Sequence, residues 1–535
     1  MTTASPKALR RRSIHYEPPP HLTQNWHVTK PAATGRRGMV VAQSRDAALA
    51  GVAVLDAGGN AVDAAVATAL ALAAVEPWNS GLGGIGFALV HRAGQPRAEI
   101  VDFGPRSPGR LDPPRFKLTG AQAADLFGWP AVEGDVNVHG PLSFAIPSAP
   151  AGYAFMHERW GRLPMAELFA PAQALARRGL PQDWFTTLKI AVQAGLLRRY
   201  PESARIYLPD GLPPVPPYQG NPGSFRLGNL PDTLDRLASA GLRDFYEGDI
   251  AASIAADVAA MGGFLDRDDL RTCQARFGTL LEVPFGGGVL QLAGGLTAAP
   301  TMARVLELLP PCSGEGPDAA WFAGLAAALG TAYAERLTKL GDAEPVAAES
   351  CTTHLTACDA EGTMVSVTST LLSSMGSRVV LPGSGVLMNN GIMWFDTRPG
   401  QPNSIGPSKR PLTNMLPVIL RQADRPVLAA GASGGRRILA SVTQMLAFVA
   451  GFGMDPATAA HHPRLDVSAP SGTDADQRLP AETIAALNDG SLDVVEHSVM
   501  PVNFACPNLI EIKDGLRTGI SDVMSPWSAA VAQAD

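Results

Sequence analysis

The feature that most constrains this chain is the run of residues 60–75, in which almost every side chain is apolar. An asparagine opens the run, an aspartate stands in its first turn, and Glu-Pro at residues 76–77 closes it. This punctuation is typical of a helix, and a helix that is apolar on all sides must be covered on all sides. The run is too short to span a bilayer. We therefore predict a core helix here, with a second helix directly before it over residues 44–59.

The composition is that of a globular protein that can cover such a helix. The chain has 535 residues, of which 46% are hydrophobic and 17% charged, which suits two domains or one large α/β unit. A formal net charge of −6 gives no basic field of the kind that binds nucleic acid or anionic lipid. We expect a small-molecule partner, no nucleic acid and no membrane.

The N-terminal segment and the cysteines favour a cytoplasmic protein without a metal. Residues 1–37 are polar and proline-rich, with no apolar stretch after their basic residues, so we expect an extended arm rather than a secretion signal. The 5 cysteines are irregularly spaced and form no Cys-x-x-Cys pair, which suits reduced thiols. The histidines are scattered apart from His461 and His462, so no zinc site is expected.

Residues 81–86, Gly-Leu-Gly-Gly-Ile-Gly, formally match the Gly-x-Gly-x-x-Gly pattern of dinucleotide-binding proteins. In that fingerprint a strand precedes the glycines and a helix follows them. Here a predicted helix precedes them and a strand-like run at 87–91 follows. A nicotinamide-dependent oxidoreductase is therefore disfavoured, and we expect a tight turn and no cofactor.

The chain changes part-way along from mostly helical to mostly β. Residues 140–345 are predicted to be largely helical, with a proline-rich loop at 209–222 and a glycine-rich stretch at 286–295. Residues 352–359 and 363–370 are β-branched and partly alternating, which predicts a β-hairpin. Further strands are predicted at 385–388, 416–420 and 427–431, before a helix over 437–450.

The start of this hairpin resembles the processing site of the gamma-glutamyltranspeptidase family. Residues 349–354 read Glu-Ser-Cys-Thr-Thr-His, and precursors of that family cut themselves before the first threonine of a Thr-Thr-His triplet. Other stretches similar to family landmarks occur in order, at residues 58–65, 76–77, 80–84, 150–153, 245–250, 332–336, 341–342, 409–415 and 433–436. The resemblance covers about residues 38–470.

The resemblance implies an α+β fold, the αββα four-layer sandwich of the N-terminal nucleophile hydrolases, with additional helices from the large fragment. Cleavage between Cys351 and Thr352 would give a large subunit over residues 38–351 and a small subunit over residues 352–535. Both would fold as one interlocked domain. The two fragments would be each other's partners, and homo-oligomerisation stays open.

The resemblance also makes Thr352 the nucleophile. A hydroxyl needs a base, and a free α-amine with a pKa of about 8 is partly neutral around pH 7. Cleavage would place that amine on Thr352 itself, so one residue would supply both groups. Thr370 would support the nucleophile, and the amides of Gly434 and Gly435 would stabilise the oxyanion. His354 is expected to fill a strand face rather than to act as a base.

The predicted pocket departs from that of the glutathione-cleaving members. There, an arginine after an Asp-Tyr pair holds the substrate α-carboxylate, whereas here Asp-Phe at 102–103 is followed by Gly-Pro, and Arg106 is the candidate substitute. Leu372 replaces an asparagine that binds the substrate amino group. Gly391 and Trp394 replace a glutamine and an aspartate that bind it too, and Trp394 is a candidate substrate-binding residue.

Thr413 and Asn414 still occupy two serine positions that contact the carboxylate in that family. A pocket without partners for a buried ammonium should reject it, and the departures resemble the cephalosporin-acylase-like branch. We therefore predict an amidase or acyltransferase for a carboxylate-bearing acyl amide. The open alternatives are a true gamma-glutamyltranspeptidase, or glutathione hydrolase, and an unprocessed, catalytically silent paralogue that acts as a binding protein.

Overall fold

The computed structural model describes residues 10–11, 28–122, 129–340, 351–469, 472–497 and 504–534. Most of the predicted N-terminal arm, the Gly-Asp landmark at 341–342 and residues 349–350 of the processing motif lie outside the described residues.

The described strands are β1 Arg10–Arg11, β2 Ala33–Gly35, β3 Met39–Ala42, β4 Ile85–His91, β5 Glu99–Phe103, β6 Leu118–Gln122, β7 Pro130–Val132, β8 Leu180–Pro181, β9 Ser224–Phe225, β10 Arg276–Phe277, β11 Leu280–Phe285, β12 Gly288–Ala293, β13 Cys351–Cys358, β14 Met364–Leu372, β15 Val418–Gln422, β16 Arg425–Ser433, β17 Leu465–Ala469, β18 Gly472–Asp476, β19 Asp493–Val495, β20 Cys506–Lys513, β21 Leu516–Ser521 and β22 Ala529–Ala532.

The described α-helices are α1 Arg45–Asp56, α2 Ala61–Val75, α3 Ala149–Trp160, α4 Met165–Arg178, α5 Trp184–Ala191, α6 Ala194–Leu197, α7 Pro201–Tyr207, α8 Leu230–Ala240, α9 Asp244–Glu247, α10 Asp249–Ala260, α11 Arg267–Thr272, α12 Ala299–Leu308, α13 Ala319–Leu340, α14 Ile438–Leu446, α15 Pro456–His461 and α16 Ala481–Leu487. Short 3-10 helices span Pro113–Arg115, Glu133–Asp135, Pro141–Ser143, Pro209–Gly211, Gly391–Trp394 and Gly435–Arg437, and a π-helical turn spans Ala447–Gly451.

Two 7-stranded antiparallel sheets form the centre of the molecule. The first has the order β10-β5-β4-β14-β13-β3-β22, and the second has the order β11-β12-β15-β16-β20-β21-β2. Strands from both sides of residue 352 occur in each sheet. A smaller sheet, β1-β19-β18-β17, contacts α13 and α14 through β17.

Three apolar clusters show the layer order. One packs α1, α2, α4 and α8 on the outer face of the first sheet, and another packs α12, α13 and α14 on the outer face of the second sheet. The third fills the space between the sheets. The order helix, sheet, sheet, helix is the predicted αββα sandwich.

The predicted core helix and hairpin are present. Asn60 caps α2 and forms a capping box with Asp63, and every residue of α2 is buried. In β14, Val365 and Val367 face the helices, whereas Thr368 lies between the sheets next to His354 of β13. Side chains alternate in this way along a strand that is buried on both faces.

The predicted strand over residues 385–388 is wrong, and the glycine-rich stretch has a defined structure. Residues 385–388 form no regular strand, because Gly385 has a φ of +67° and the segment pairs only through isolated bridges at Leu387 and Met388. The glycine-rich stretch is the β11–β12 hairpin, in which Gly286 and Gly287 have φ values of +57° and +70°. Positive φ at both central residues is what a type I′ turn requires.

Candidate active site

Thr352 lies at the beginning of β13, where the pairing with β14 is irregular. Cys351 pairs with Leu372 and Thr353 with Ser369, so Thr352 faces more than one residue of β14. Such a bulge changes the direction of nearby side chains. The Thr352 hydroxyl donates to the Thr370 hydroxyl oxygen at 3.3 Å. The structure therefore brings the predicted nucleophile and its predicted support together.

A second hydrogen bond fixes Thr370. Its hydroxyl oxygen accepts from the Leu372 N–H at 2.7 Å. Leu372 has a φ of +85°, a conformation that costs a residue with a side chain about 1–3 kcal/mol and that is concentrated at functional sites. The bond to Thr370 helps to hold this strained backbone next to the nucleophile.

The predicted oxyanion glycines lie in the turn between β16 and α14. Gly434 has a φ of +137° and Gly435 a φ of +58°, and a Cβ on Gly434 would lie 2.7 Å from the Ala505 Cα. Only glycine fits there. The turn leads through a 3-10 helix into α14, and main-chain N–H groups at a helix start attract negative charge.

A buried carboxyl group, Glu76, lies behind the nucleophile strand. It accepts hydrogen bonds from the Thr353 hydroxyl at 2.7 Å and from the Asn79 side-chain amide at 2.6 Å. Burial raises the pKa of Glu76 to about 7, although both hydrogen bonds oppose the shift. The sequence indicates Glu76 only as a family landmark, and nothing in it predicts the contact with the residue after the nucleophile.

His354 fills the space between the two sheets, as expected. A Cβ on Gly431 of the opposite sheet would lie 2.2 Å from its ring. Its Nδ1 lies 2.9 Å from the Thr368 hydroxyl. Burial lowers the pKa of His354 to about 3, so the ring is neutral near pH 7.

A cavity of about 130 Å³ lies next to the end of β5 and is lined by Asp102, Arg106, Arg276 and Arg410. The Arg410 guanidinium donates to both oxygens of Asp102, at 2.7 and 2.5 Å, and Arg276 donates to one of them at 3.2 Å. Burial alone would raise the pKa of Asp102, but Arg410 outweighs it and the pKa lies below its usual value. Arg106 lines this cavity with an exposed side chain.

Phe87 and Arg410 together fill the space that a side chain at residue 104 would need. A Cβ on Gly104 would lie 2.5 Å from the Phe87 Cζ and 2.7 Å from the Arg410 Nη2. Thr370 pairs with Ile85, and β4 pairs with β5 so that residue 104 is level with Thr370, two strands away, or about 10 Å at the usual strand spacing. The family resemblance implies that residue 104 is where the glutathione-cleaving members have their arginine. Here a guanidinium reaches it from the segment before β15.

Thr413 and Asn414 lie beside another buried arginine. The Thr413 hydroxyl donates to the Leu296 carbonyl at 3.0 Å, so it is already occupied, whereas Asn414 is partly exposed. Arg336 donates to the Thr413 carbonyl at 2.6 Å and lies 3.5 Å from the Asn414 side-chain oxygen.

Burial lowers the pKa of Arg336 to about 10, and Arg436 adds to this effect. Arg336 also donates to the Thr297 carbonyl and the Thr301 hydroxyl, both at 3.0 Å. Within the described part of the chain, no carboxylate pairs with it. A buried cation of this kind favours an anion nearby.

Trp394 lies in the apolar cluster between the sheets and is 4% exposed. The cluster also contains Phe87, Leu372, Met393 and Met415. Leu372 and Trp394, at the positions where the resemblance implies ammonium-binding residues, are thus packed among apolar neighbours.

The described residues contain no group of three or more His, Cys, Asp or Glu side chains that could hold a metal ion. Among the helices that the structure describes, none is both long and apolar enough to cross a bilayer.

Known proteins resemble this chain along most of its length. The acylase ACY 1 proenzyme of Pseudomonas sp. (strain SE83) is 30% identical over 462 residues, which cover 78% of this chain and 80% of the relative. The glutathione hydrolase proenzyme of Bacillus subtilis (strain 168) is 27% identical over 519 residues, which cover 86% of this chain and 85% of the relative.

A solved structure and a family profile complete the comparison. The cephalosporin acylase from Bacillus halodurans has a TM-score of 0.81 and 22% identity, and the match covers 98% of this chain and 100% of that chain. This likeness confirms the predicted fold of the N-terminal nucleophile hydrolases. The profile described as gamma-glutamyltranspeptidase matches residues 47–351 and 343–530. The chain therefore belongs to the gamma-glutamyltranspeptidase family and is an enzyme related to acylases and glutathione hydrolases.

Proposed function

We propose that this protein is a self-processing amide hydrolase and acyltransferase whose nucleophile is Thr352. The observation that carries the proposal is the contact of the Thr352 hydroxyl with Thr370 at the start of a central strand. Cleavage of the bond between Cys351 and Thr352 would free an amine on Thr352. The relatives named as proenzymes support this step.

In the proposed reaction, the Thr352 amine takes the hydroxyl proton while the oxygen attacks the carbonyl carbon of a substrate amide. The N–H groups of Gly434 and Gly435 stabilise the oxyanion, and losing one such donor typically slows a reaction about 10²- to 10³-fold. The protonated amine then gives its proton to the leaving nitrogen, the C–N bond breaks, and an ester remains on Thr352. Attack by water releases the acid, and attack by an amine forms a new amide.

The substrate that the pocket favours is an acyl amide with a carboxylate and no α-ammonium. Arg410 and Arg106 line the cavity beside Gly104, and the buried Arg336 cation lies next to Asn414. Leu372 and Trp394 offer no charge to an ammonium. The relatives and the structural neighbour named as acylases support the same substrate class.

A matched pair of chromogenic substrates tests the proposal, because glutaryl and γ-glutamyl p-nitroanilide differ only in the α-amino group. We expect the glutaryl compound to be cleaved with a kcat/KM at least about tenfold higher, since losing the partners of a buried ammonium costs more than 1.4 kcal/mol. The opposite ratio would favour the second candidate, a glutathione hydrolase like the Bacillus subtilis relative.

Processing is tested separately on a denaturing gel and by mass spectrometry. Wild type should run as two bands, and the smaller should begin at Thr352 and gain the mass of the acyl group on brief exposure to substrate. Thr352→Ala should remain one band. A wild-type chain that stays uncleaved and inactive would favour the silent binding protein instead.

We also propose a cytoplasmic location, because Cys273, Cys312, Cys358 and Cys506 carry free thiols and free thiols suit a reducing compartment. Cell fractionation tests this, and recovery of the enzyme outside the cytoplasm would refute it.

A further inference from the structure

The Gln43 side chain lies where three segments of the site meet. The residue follows β3 and is 5% exposed. Its amide contacts the Ser433 hydroxyl, the Thr352 carbonyl oxygen and the Thr353 hydroxyl, the latter two at 3.1 Å, and the Glu76 carboxylate at 3.2 Å. No feature of the sequence singles out this glutamine.

The buried carboxylate sets the orientation of the amide. The Thr352 carbonyl can only accept hydrogen bonds, and the Glu76 carboxylate can only accept them when it is ionised. The Gln43 nitrogen, with two hydrogens to donate, must therefore face these two groups. The Gln43 oxygen then faces Ser433 and accepts from its hydroxyl. In this orientation both ends of the Gln43 amide have hydrogen-bond partners, and the Asn79 amide nitrogen, 3.2 Å from the Gln43 nitrogen, donates to Glu76 instead.

The two ends of this amide belong to different sheets. Thr352 is on β13 of the first sheet, and Ser433 is the last residue of β16 of the second sheet. Gly434 and Gly435, the oxyanion donors of the proposed reaction, follow Ser433 directly. Gln43 therefore ties the nucleophile residue to the turn that would hold the oxyanion.

We propose that Gln43 is a positioning residue, anchored by Glu76, that sets the separation between Thr352 and the Gly434–Gly435 turn. This inference rests on the proposed function, because it gives Thr352 and the two glycines their roles. Gln43 acts through Thr352 and Ser433 and not on the substrate. Displacement of reacting groups by about 1 Å lowers rates about 10²-fold, so its loss should reduce kcat and leave KM nearly unchanged.

The test compares Gln43→Ala with Gln291→Ala. Gln291 is also a buried glutamine between the sheets, where it contacts the His91 ring at 2.7 Å, but His91 pairs with Met364 at the far end of β14 from Thr370. In processed enzyme, we expect Gln43→Ala to lower kcat for glutaryl p-nitroanilide about 100-fold with KM within about twofold. Gln291→Ala should keep kcat within about threefold of wild type.

A double-mutant cycle separates positioning from a general loss of packing. Gln43→Ala and Ser433→Ala should each lower kcat, and the double variant should be little slower than Gln43→Ala alone, because both changes remove the same bridge. Gln43→Asn, which keeps the amide on a shorter chain, should recover part of kcat. A folded Gln43→Ala chain that stays uncleaved while Gln291→Ala is processed also supports the inference. In the proposed function the same Thr352 hydroxyl attacks the bond before it during processing and the substrate amide afterwards.

Two results would overturn the inference. One is a kcat for Gln43→Ala within about threefold of wild type. The other is a loss of kcat in the double variant equal to the product of the losses in Gln43→Ala and Ser433→Ala, because the two side chains would then act independently. Failure of the proposed function is seen separately in wild type: if Thr352 carries no acyl adduct after exposure to substrate, the proposed function is wrong, and the inference falls with it.

Discussion

Replacement of Arg410 by glutamine should weaken the recognition of a substrate carboxylate. Arg410 is 21% exposed at its side chain and is held against Asp102, so solvent screens its charge only in part. A hydrogen bond between charged groups in such a place contributes about 1.5–3 kcal/mol. At 1.4 kcal/mol per factor of ten, Arg410→Gln should lower kcat/KM for glutaryl p-nitroanilide about 10- to 150-fold.

The matched control is Arg106→Gln, which changes the other candidate arginine of the same cavity. Because Arg106 is exposed, its contribution should not exceed about 1 kcal/mol, or about fivefold in kcat/KM. Butyryl p-nitroanilide, which lacks the carboxylate, should be cleaved equally by wild type and both variants. Asp102 keeps Arg276 at 3.2 Å and the Gly104 N–H at 3.0 Å, so Arg410→Gln should remain folded.

The kinetics of the three proteins with the two anilides check this reasoning. It is refuted if Arg106→Gln loses more kcat/KM for the glutaryl compound than Arg410→Gln does. It is also refuted if Arg410→Gln slows the butyryl compound as much as the glutaryl compound, because the loss would then not involve the carboxylate.

Three further changes have defined outcomes. Thr370→Ala should lower kcat of processed enzyme about ten- to a hundredfold, because it removes a buried partner of Thr352 and of the strained Leu372 backbone. Thr370→Ser, which keeps the hydroxyl, should keep most of the activity. An equal loss of kcat in both variants would contradict this reasoning. In an uncleaved Thr352→Ala background, Gly431→Ala should lower the free energy of unfolding by about 1–3 kcal/mol, because its methyl group would overlap the His354 ring. The control Gly330→Ala, in an open part of α13, should raise the free energy of unfolding by up to about 1 kcal/mol. Burial raises the pKa of Glu76 from 4.5 to about 7, so between these pH values the folded state binds more protons than the unfolded state. The free energy of unfolding should therefore fall by about 3 kcal/mol from pH 4.5 to pH 7, relative to Glu76→Gln. An equal pH dependence of the free energy of unfolding in the two chains would refute this.

Local patterns predict the elements that carry the chemistry. The β-branched alternation on both sides of Asp-Ala-Glu-Gly is sufficient to place β13 and β14, and the Asn60 cap is sufficient to start α2. The contact between Thr352 and Thr370 follows once the hairpin is known, because the pairing of Thr353 with Ser369 brings the two residues close together. The resemblance adds Gly434 and Gly435, which are distant in sequence.

The contacts that define the pocket depend on which segments become neighbours in space, and a single sequence does not contain that information. Arg410 reaches Asp102 across 308 residues, and Gln43 reaches Ser433 across 390 residues. Residue 104 shows the consequence. The resemblance implies an arginine at this position, and Arg106 is the nearest arginine in the sequence. In the structure, Phe87 and the distant Arg410 occupy the space beside Gly104.

The residues proposed for chemistry and those proposed for recognition lie in parts of the fold that can change independently. Thr352, Thr370 and the Gly434–Gly435 turn are held by strand pairing and by main-chain geometry, and a change in any of them would disturb the sheets. Arg410 and Asn414 lie on the segment before β15, where residues can be exchanged without breaking a strand hydrogen bond. A family built in this way can keep one nucleophile while the charge around the substrate changes. A glycine at residue 104 with the Arg410 guanidinium beside it therefore fits the proposal that recognition of the acyl group differs while the proposed catalytic residues are kept.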